Sequence, residues 1–252
     1  MIAQAFASGS RRGAHGYQAR ILPEVSRTFA LTIPQLDVRL RTVIANAYLL
    51  CRIADTIEDE NALPGDVKQQ FHDRFTRVVE STEDPASFAR DLAPLLVGNT
   101  LAAERDLVAH TAEIIQVTDS FNLAQRGSLA RCIRTMCTGM PSFERRTSTA
   151  GLADMREMDR YCYYVAGIVG QTLTDLFCDY SPRIAERREE LSALDVSFGQ
   201  GLQMTNILKD FWRTAIAAPA GCRTTCLPAP AWNWRTFAAT KCRLRSARLT
   251  RN

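Results

Sequence analysis

Apolar residues that recur at three- and four-residue spacing dominate this 252-residue sequence. The spacing runs through residues 26–62, 88–118 and 159–212, whereas the alternating pattern of a half-buried strand is scarce. Such spacing places apolar side chains along one face of an α-helix. The sequence therefore predicts an all-α fold. No stretch approaches the 18 or more consecutive apolar residues of a membrane span, so we expect no transmembrane segment.

Cysteine and histidine usage argues against a zinc site or a disulfide framework. Eight cysteines occur without a C-x-x-C pair, and there are only three histidines. We therefore expect reduced thiols that serve in packing. The first 20 residues lack the apolar stretch of a secretory signal, which favours a cytoplasmic location.

Charge is distributed unevenly between the body of the chain and its end. Residues 213–252 hold eight Lys or Arg and no Asp or Glu, which leaves residues 1–212 with a net charge of −4. A basic arm on an acidic body is one pattern of a nucleic-acid-binding protein. A catalytically inactive helical module that binds nucleic acid in a salt-sensitive manner is therefore one hypothesis. Because helical periodicity stops after Trp212, we expect no nucleic-acid partner.

The segment YLLCRIADTIEDE concentrates charge within an apolar helical pattern. Tyr48, Arg52, Asp55 and Asp59 are spaced to lie along one helix face. Two carboxylates a turn apart suit Mg²⁺, which prefers oxygen ligands and bridges carboxylates to substrate phosphates. An arginine offers a planar donor pair for phosphate oxygens. The alternative is an ordinary solvated face, which the spacing alone does not exclude.

A second polar stripe lies in GLQMTNILKDFW. Gln203, Asn206 and Asp210 share one face of an otherwise apolar helix. A buried polar stripe must be hydrogen-bonded or bind a ligand, since each unpaired group costs about 1–3 kcal/mol. Two such helices in one all-helical chain predict a diphosphate held between metal ions.

Two further segments allow a functional and a structural interpretation. In DRYCYYVAGIVGQTLTDLF, Tyr161 lies on an aromatic face, while Ala166 and Gly170 leave a channel for a hydrocarbon or for another helix. In SRTFAL, Ser26 and Arg27 lie at a predicted helix start that would favour phosphate. The structural alternatives are ordinary helix packing and an N-cap serine followed by a surface arginine.

The four segments SRTFAL, YLLCRIADTIEDE, YCYYVAGIVG and GLQMTNILKD, in this order, resemble the squalene and phytoene synthase family. The resemblance implies an isoprenoid-synthase fold in which two aspartate-rich helices face each other across a deep apolar cavity. It implies that Tyr161 lies beside the reacting carbons. The implied Mg²⁺ ligands are Asp55, Asp59, Asn206 and Asp210, and the implied diphosphate-binding residues are Ser26, Arg27, Tyr48, Arg52, Gln203 and Lys209.

The activity that the resemblance implies is a head-to-head condensation of two prenyl diphosphates. The string D-T-I-E-D resembles the squalene branch, which implies farnesyl diphosphate as substrate, presqualene diphosphate as intermediate and NADPH as reductant. Phytoene formation from geranylgeranyl diphosphate is the alternative. Peripheral membrane contact for product release is a further expectation.

The sequence departs from the family pattern after Trp212. The position four after Asp210 is Thr214 rather than an aspartate, and the family string D-R-x-R-G-x-C-W-L-P is not visible. Read one base earlier, however, codons for residues 213–223 can encode D-R-H-R-G-A-C-W-L-P. We therefore expect an incomplete catalytic domain at 1–212, with its C-terminal helices missing, and a frameshifted, disordered tail at 213–252. An inactive copy is the corresponding functional alternative.

Overall fold

The computed structural model describes the backbone of residues 2–26, 28–144 and 154–217, and these ranges contain helices and turns without a strand. Short 3₁₀ turns follow α2 and α5. The α-helices are α1 (Ile2–Val25), α2 (Phe29–Thr32), α3 (Val38–Asp59), α4 (Gly65–Val79), α5 (Pro85–Leu92), α6 (Ala102–Ala109), α7 (Thr111–Thr118), α8 (Leu123–Glu144), α9 (Met155–Cys162), α10 (Ile168–Tyr180), α11 (Pro182–Ala185), α12 (Arg188–Ser192) and α13 (Asp195–Ala217).

Helix α3 lies at the centre of the bundle. It packs against α1, α4, α6, α7, α8 and α10. Its core-facing side chains Leu49, Leu50, Ile53 and Ile57 are completely buried. They are one, three and four residues apart, which is the helical spacing that the sequence shows. Burial of each of these side chains stabilises the fold by roughly 1.5–3 kcal/mol. The predicted all-α fold is confirmed for the described residues.

The helical run predicted from residue 26 is interrupted before α3. After the four-residue α2, a 3₁₀ turn contains Pro34, and the chain is extended at Leu36. Proline cannot donate the N–H that a continuing α-helix needs. Asp37 then begins α3 by accepting the backbone N–H of Arg39 at 3.0 Å. The apolar spacing alone therefore merges two helices that proline and aspartate separate.

Glu60 ends α3 and is a structural residue. Its side chain is completely buried. It accepts backbone N–H groups of Ala62 and Gly98 at 2.8 and 3.0 Å, and the Thr100 hydroxyl at 2.6 Å. Burial alone would raise the pKa of Glu60, but these hydrogen bonds outweigh burial and lower it. The last acid of the first motif therefore fastens α3 to the loop before α6.

Replacing Glu60 by alanine is expected to lower the free energy of unfolding by about 3 kcal/mol, because three buried donors lose their acceptor. Urea unfolding followed by circular dichroism measures this change. Glu186→Ala, which removes an exposed carboxylate, serves as the control and should stay within about 0.5 kcal/mol of the parent. Equal midpoints for both variants would contradict the structural role.

A π-helical turn at Tyr163–Gly167 joins α9 to α10. Helix α10 packs against both α3 and α13. Gly170 lies so close to the backbone of Asp195 that a methyl group there would collide with its carbonyl, and Gly199 lies equally close to the backbone of Ala166. Another helix therefore fills the channel that the sequence predicts at Ala166 and Gly170. Ordinary helix packing, rather than a path for a hydrocarbon, is the interpretation that the structure supports here.

Helix α13 extends five residues beyond Trp212, where the sequence predicts that helical structure stops. Its side chains are described up to residue 208. The predicted tail from residue 218 onward lies outside the described residues, as does Arg27. Within the described residues, no helix combines the length and the apolar character that crossing a bilayer requires.

Candidate functional site

The four predicted site residues of the first motif lie on α3, as their spacing indicates. Tyr48 has a structural contact: its hydroxyl donates a hydrogen bond to the carbonyl oxygen of Val25 at 3.0 Å. Its ring centroid lies 5.2 Å from that of Phe29. Tyr48 therefore holds the last residue of α1 and the first residue of α2 against the motif face.

Arg52 is the cation of this face. Its side chain is 28% exposed, and its guanidinium lies 3.6 Å from Oε1 of Glu104 on α6. Burial opposes the charged form, but Asp55, Tyr48 and Glu104 together outweigh it and raise the pKa of Arg52. Its Nε is buried and has no hydrogen-bond partner among the described residues. A buried cationic donor without an acceptor is suited to a phosphate oxygen.

The surroundings of Asp55 and Asp59 disfavour the charged forms of both carboxyl groups. Burial is the largest cause that raises the pKa of Asp55 to about 7; Arg52 opposes this, and Asp59 and neighbouring acids add to it. The pKa of Asp59 is also raised, although this residue keeps more contact with solvent. Glu58 and Glu104 add like charge to both. Negative charge therefore exceeds positive charge around Arg52, Asp55 and Asp59, which favours binding of a further cation.

Without Mg²⁺, the free energy of unfolding is expected to fall as the pH rises from 5 to 8. Folded Asp55 binds its proton up to about pH 7, whereas an unfolded aspartate releases it near pH 4, so folding is favoured at the lower pH. The loss should be on the order of 1–2 kcal/mol, because partial exposure screens the charge. Urea unfolding at both pH values measures it.

Asp55→Asn should remove most of this pH dependence and stabilise the protein at pH 8. Asp66→Asn, at an exposed position on α4, is the matched control and should keep the parent slope. A slope that is unchanged in Asp55→Asn would assign the pH dependence to other groups.

Tyr161 is placed near the same acidic group. Burial is the main cause that raises its pKa to about 12, and the charges of Asp55 and Asp59 raise it further. Its ring meets that of Phe143 edge to face, with centroids 5.6 Å apart. The structure therefore brings an aromatic face from α9 towards the acids of α3, although these segments are about 100 positions apart in the sequence.

The ring of Tyr164 also packs beside that of Phe143. It packs so closely on Gly139 that any side chain at that position would collide with it. The Phe143 ring lies 6.0 Å from the Tyr164 ring. A glycine near the C-terminal end of α8 therefore has a specific packing role against Tyr164.

The other predicted residues are only partly described. Ser26 is buried and accepts the backbone N–H of Phe29 at 3.0 Å. It therefore has the helix-capping role that is the structural alternative to phosphate binding. Since α2 has four residues, it offers little helix dipole to a phosphate. On α13, Gln203 is half-buried and Asn206 is exposed. Arg27 and the side chains of Lys209 and Asp210 lie outside the described residues.

Glu104 is a residue of this site that the sequence pattern does not predict. Its other carboxylate oxygen accepts the backbone N–H of Leu101 at 3.1 Å at the start of α6. An acid in the first turn of a helix is a common capping residue, so the local sequence gave no signal of its contact with Arg52.

The donors on α3 fit Mg²⁺ in chemistry. Asp55 and Asp59 offer carboxylate oxygens one turn apart in a site with excess negative charge, as a hard cation requires. Among the described residues, no three His, Cys, Asp or Glu side chains are grouped to hold a metal ion by themselves. The assignment of Mg²⁺ therefore stays a prediction. It also involves Asp210, whose side chain lies outside the described residues.

A separate groove of about 780 Å³ lies between α10, α11, α12 and α13. It is lined by apolar side chains that include Leu173, Phe177 and Phe198, with Arg183 and Arg187 also lining it. None of the predicted site residues contributes to its lining. This groove is therefore distinct from the acidic face of α3.

The all-α bundle and the acidic face of its central helix are the features of one known class of protein. The family model for squalene/phytoene synthase matches residues 22–236, and the chain belongs to this family. The match continues past Trp212, where the sequence predicts that the family pattern ends. The frameshift hypothesis stays a prediction, which the nucleotide sequence around codon 213 will test.

Individual relatives are squalene synthases. The chain is 32% identical over 186 residues to squalene synthase R6 of Phoma sp., covering 73% of this chain and 42% of the relative. It is 29% identical over 197 residues to squalene synthase 1 of Arabidopsis thaliana, covering 78% and 44% respectively. The chain thus spans less than half the length of these curated relatives.

A solved structure has the same fold. The complex of TcSQS with the ligand BPH1237 matches with a TM-score of 0.65 and 26% sequence identity. The match covers 82% of this chain and 56% of the TcSQS chain. The predicted isoprenoid-synthase fold is therefore confirmed.

Proposed function

We propose that this protein catalyses the Mg²⁺-dependent head-to-head condensation of two farnesyl diphosphates, through presqualene diphosphate, to squalene. The observation that supports this most directly is the half-buried Arg52, whose buried Nε has no acceptor among the described residues, on the same helix face as Asp55 and Asp59. A cationic donor and two carboxylates on one helix face suit a metal-bound diphosphate. Family membership supports a prenyl diphosphate as the substrate.

The acidic and basic residues of α3 have different roles in the proposed reaction. Asp55 and Asp59 would hold Mg²⁺, which when bound supplies positive charge to a departing diphosphate. Arg52 would donate hydrogen bonds to the same diphosphate and stabilise its charge as the allylic C–O bond breaks. The remaining allylic cation is attacked by the alkene of the second substrate, and loss of a proton closes the cyclopropane.

Tyr161 suits the cationic side of this reaction. Its raised pKa of about 12 keeps the hydroxyl protonated at neutral pH, so the phenol is a poor base. Its ring, held by Phe143, offers a π face that stabilises a nearby carbocation. The released diphosphate is then the better acceptor for the proton lost in ring closure.

The reductive second half would require NADPH, which supplies hydride to the cation formed from presqualene diphosphate. The described residues form helices and turns and offer no strand–turn–helix cradle of the kind that binds dinucleotides. No residue of this chain is therefore assigned to NADPH.

The test is a product assay with radiolabelled prenyl diphosphates. The 252-residue chain and a form with the reading frame restored after Trp212 are each incubated with farnesyl or geranylgeranyl diphosphate, with Mg²⁺ or EDTA, and with or without NADPH. We expect Mg²⁺-dependent squalene from farnesyl diphosphate in the presence of NADPH. Presqualene diphosphate should accumulate without NADPH.

Two outcomes would favour other members of the family. Phytoene from geranylgeranyl diphosphate without any squalene would reassign the protein to the phytoene branch. Failure of both forms to bind or turn over either substrate would identify an inactive copy.

A further inference from the structure

Two basic side chains of α4 meet the same residue of α3, between the proposed Mg²⁺ ligands. Lys68 is 4% exposed, and its ammonium group donates to the backbone carbonyl of Glu58 at 2.5 Å. His72 is completely buried, and its Nε2 lies 3.1 Å from Oε2 of the same Glu58. Glu58 is therefore held through both its backbone and its side chain.

The contact of Lys68 offsets a local excess of negative charge. The last carbonyl groups of a helix have no intrahelical donor and form the negative end of its dipole. In α3 this end also carries Asp55, Glu58 and Asp59. A buried lysine is costly unless it is paired, and here its charge is placed against the helix end where it is most stabilising.

His72 directs the Glu58 side chain. The His72 Nδ1 is buried and has no partner among the described residues, so the tautomer with a proton on Nε2 alone leaves no buried donor unpaired. In this form His72 donates to the Glu58 carboxylate. On an α-helix Glu58 lies about 100° around the axis from Asp59. Glu58 is thereby turned towards α4, and Asp59 is left on the face shared with Arg52.

We infer that Lys68 and His72 are positioning residues of the Mg²⁺ site: they fix the last turn of α3 and hold Glu58 away from the ligand pair Asp55 and Asp59. This inference rests on the proposed function, because it assigns these residues to the metal site of that reaction. Neither residue touches the substrate in this role. Their effect is on how readily the two aspartates take up the metal ion.

The experiment measures Mg²⁺-dependent binding of farnesyl thiodiphosphate, an analogue that resists ionisation, by calorimetry. It is run on the 252-residue chain and on its frame-restored form, which share residues 55–72. The Lys68 charge also lowers the pKa of Asp59, so its loss alone would favour a cation. For Lys68→Met we nevertheless expect the Mg²⁺ concentration at half-maximal binding to rise about tenfold, because the last turn of α3 loses its support. Lys68→Arg, which keeps the charge, should stay within about threefold of the parent.

Variants of His72 separate its hydrogen bond from its volume. His72→Leu should raise the same Mg²⁺ midpoint about fivefold, whereas His72→Gln, which keeps a donor, should restore it to within about twofold. Equal midpoints for the leucine and glutamine variants would remove His72 from the inference.

Arg74→Met is the matched control for loss of a partly buried cation from α4. Arg74 pairs with Glu83 and Asp91, on the side away from the metal ligands. This variant should lower the melting temperature without moving the Mg²⁺ midpoint.

A Lys68→Met protein that also melts earlier but keeps the parent midpoint would overturn the inference and leave a purely structural lysine. Absence of Mg²⁺-dependent binding in both parent forms would instead overturn the proposed function, and the inference with it.

Discussion

The double variant Asp55→Asn, Asp59→Asn is expected to lose at least about 10³-fold in the rate of diphosphate release from farnesyl diphosphate. Asparagine keeps an oxygen ligand of similar size but no negative charge, so it cannot neutralise Mg²⁺. Loss of the metal removes the charge that stabilises the leaving diphosphate. A 10³-fold loss corresponds to about 4 kcal/mol of transition-state stabilisation. The rate is measured in the frame-restored protein by coupled detection of inorganic diphosphate.

The matched control is Asp66→Asn, Asp73→Asn, which removes two exposed carboxylates of α4. It should retain the parent rate within about twofold. The site variant should also fold at least as stably as the parent without Mg²⁺, because the crowded charges of Asp55 and Asp59 are removed. Turnover that survives in a folded site variant would exclude these residues as the metal anchor.

Restoring the reading frame after Trp212 is expected to convert an aggregating, nearly inactive protein into a monomer with at least about 10²-fold higher Mg²⁺-dependent turnover. Position 214 then becomes aspartate, which completes the acidic pattern that begins at Asp210. Leu194, just before helix α13, is 65% exposed, and Phe198 and Leu202 on α13 are exposed too. Covering such surface stabilises a fold by about 25 cal/mol per Å².

The two forms are expressed side by side and compared by size-exclusion chromatography and by squalene formation. A variant of the 252-residue chain with Thr214→Asp alone serves as the control. It should stay inactive, because one carboxylate does not replace the covering chain. If the unmodified chain is monomeric and as active as the restored form, residues 213–252 are genuine protein and the frameshift hypothesis is wrong.

The sequence predicted those parts of the site that lie on one helix. The shared face of Arg52, Asp55 and Asp59 follows from 3.6 residues per turn, which the residue numbers already contain. The all-α fold followed from the same periodicity. The resemblance, rather than any spacing, associated Tyr161 with these acids, since their proximity depends on how α9 and α3 pack.

Contacts between distant segments could not be predicted. Glu104 meets Arg52 only because α6 packs on α3, and in the sequence it is an ordinary acid of a first helical turn. The contacts that Lys68 and His72 make with Glu58 depend on the tight turn that folds α4 back. The break at Pro34 was visible in the sequence, but apolar spacing is insensitive to a missing backbone donor.

The π turn at Tyr163–Gly167 makes the site sensitive to chain length at one point. A π turn accommodates one more residue than the α turn it replaces, so α9 and α10 are out of phase by about 100°. Gly170 keeps α10 docked on α13. Loss of a single codon from this turn would therefore rotate Tyr161 away from Asp55. The same deletion would shift Ala166 against Gly199, so it would alter the site and the docking of α13 together.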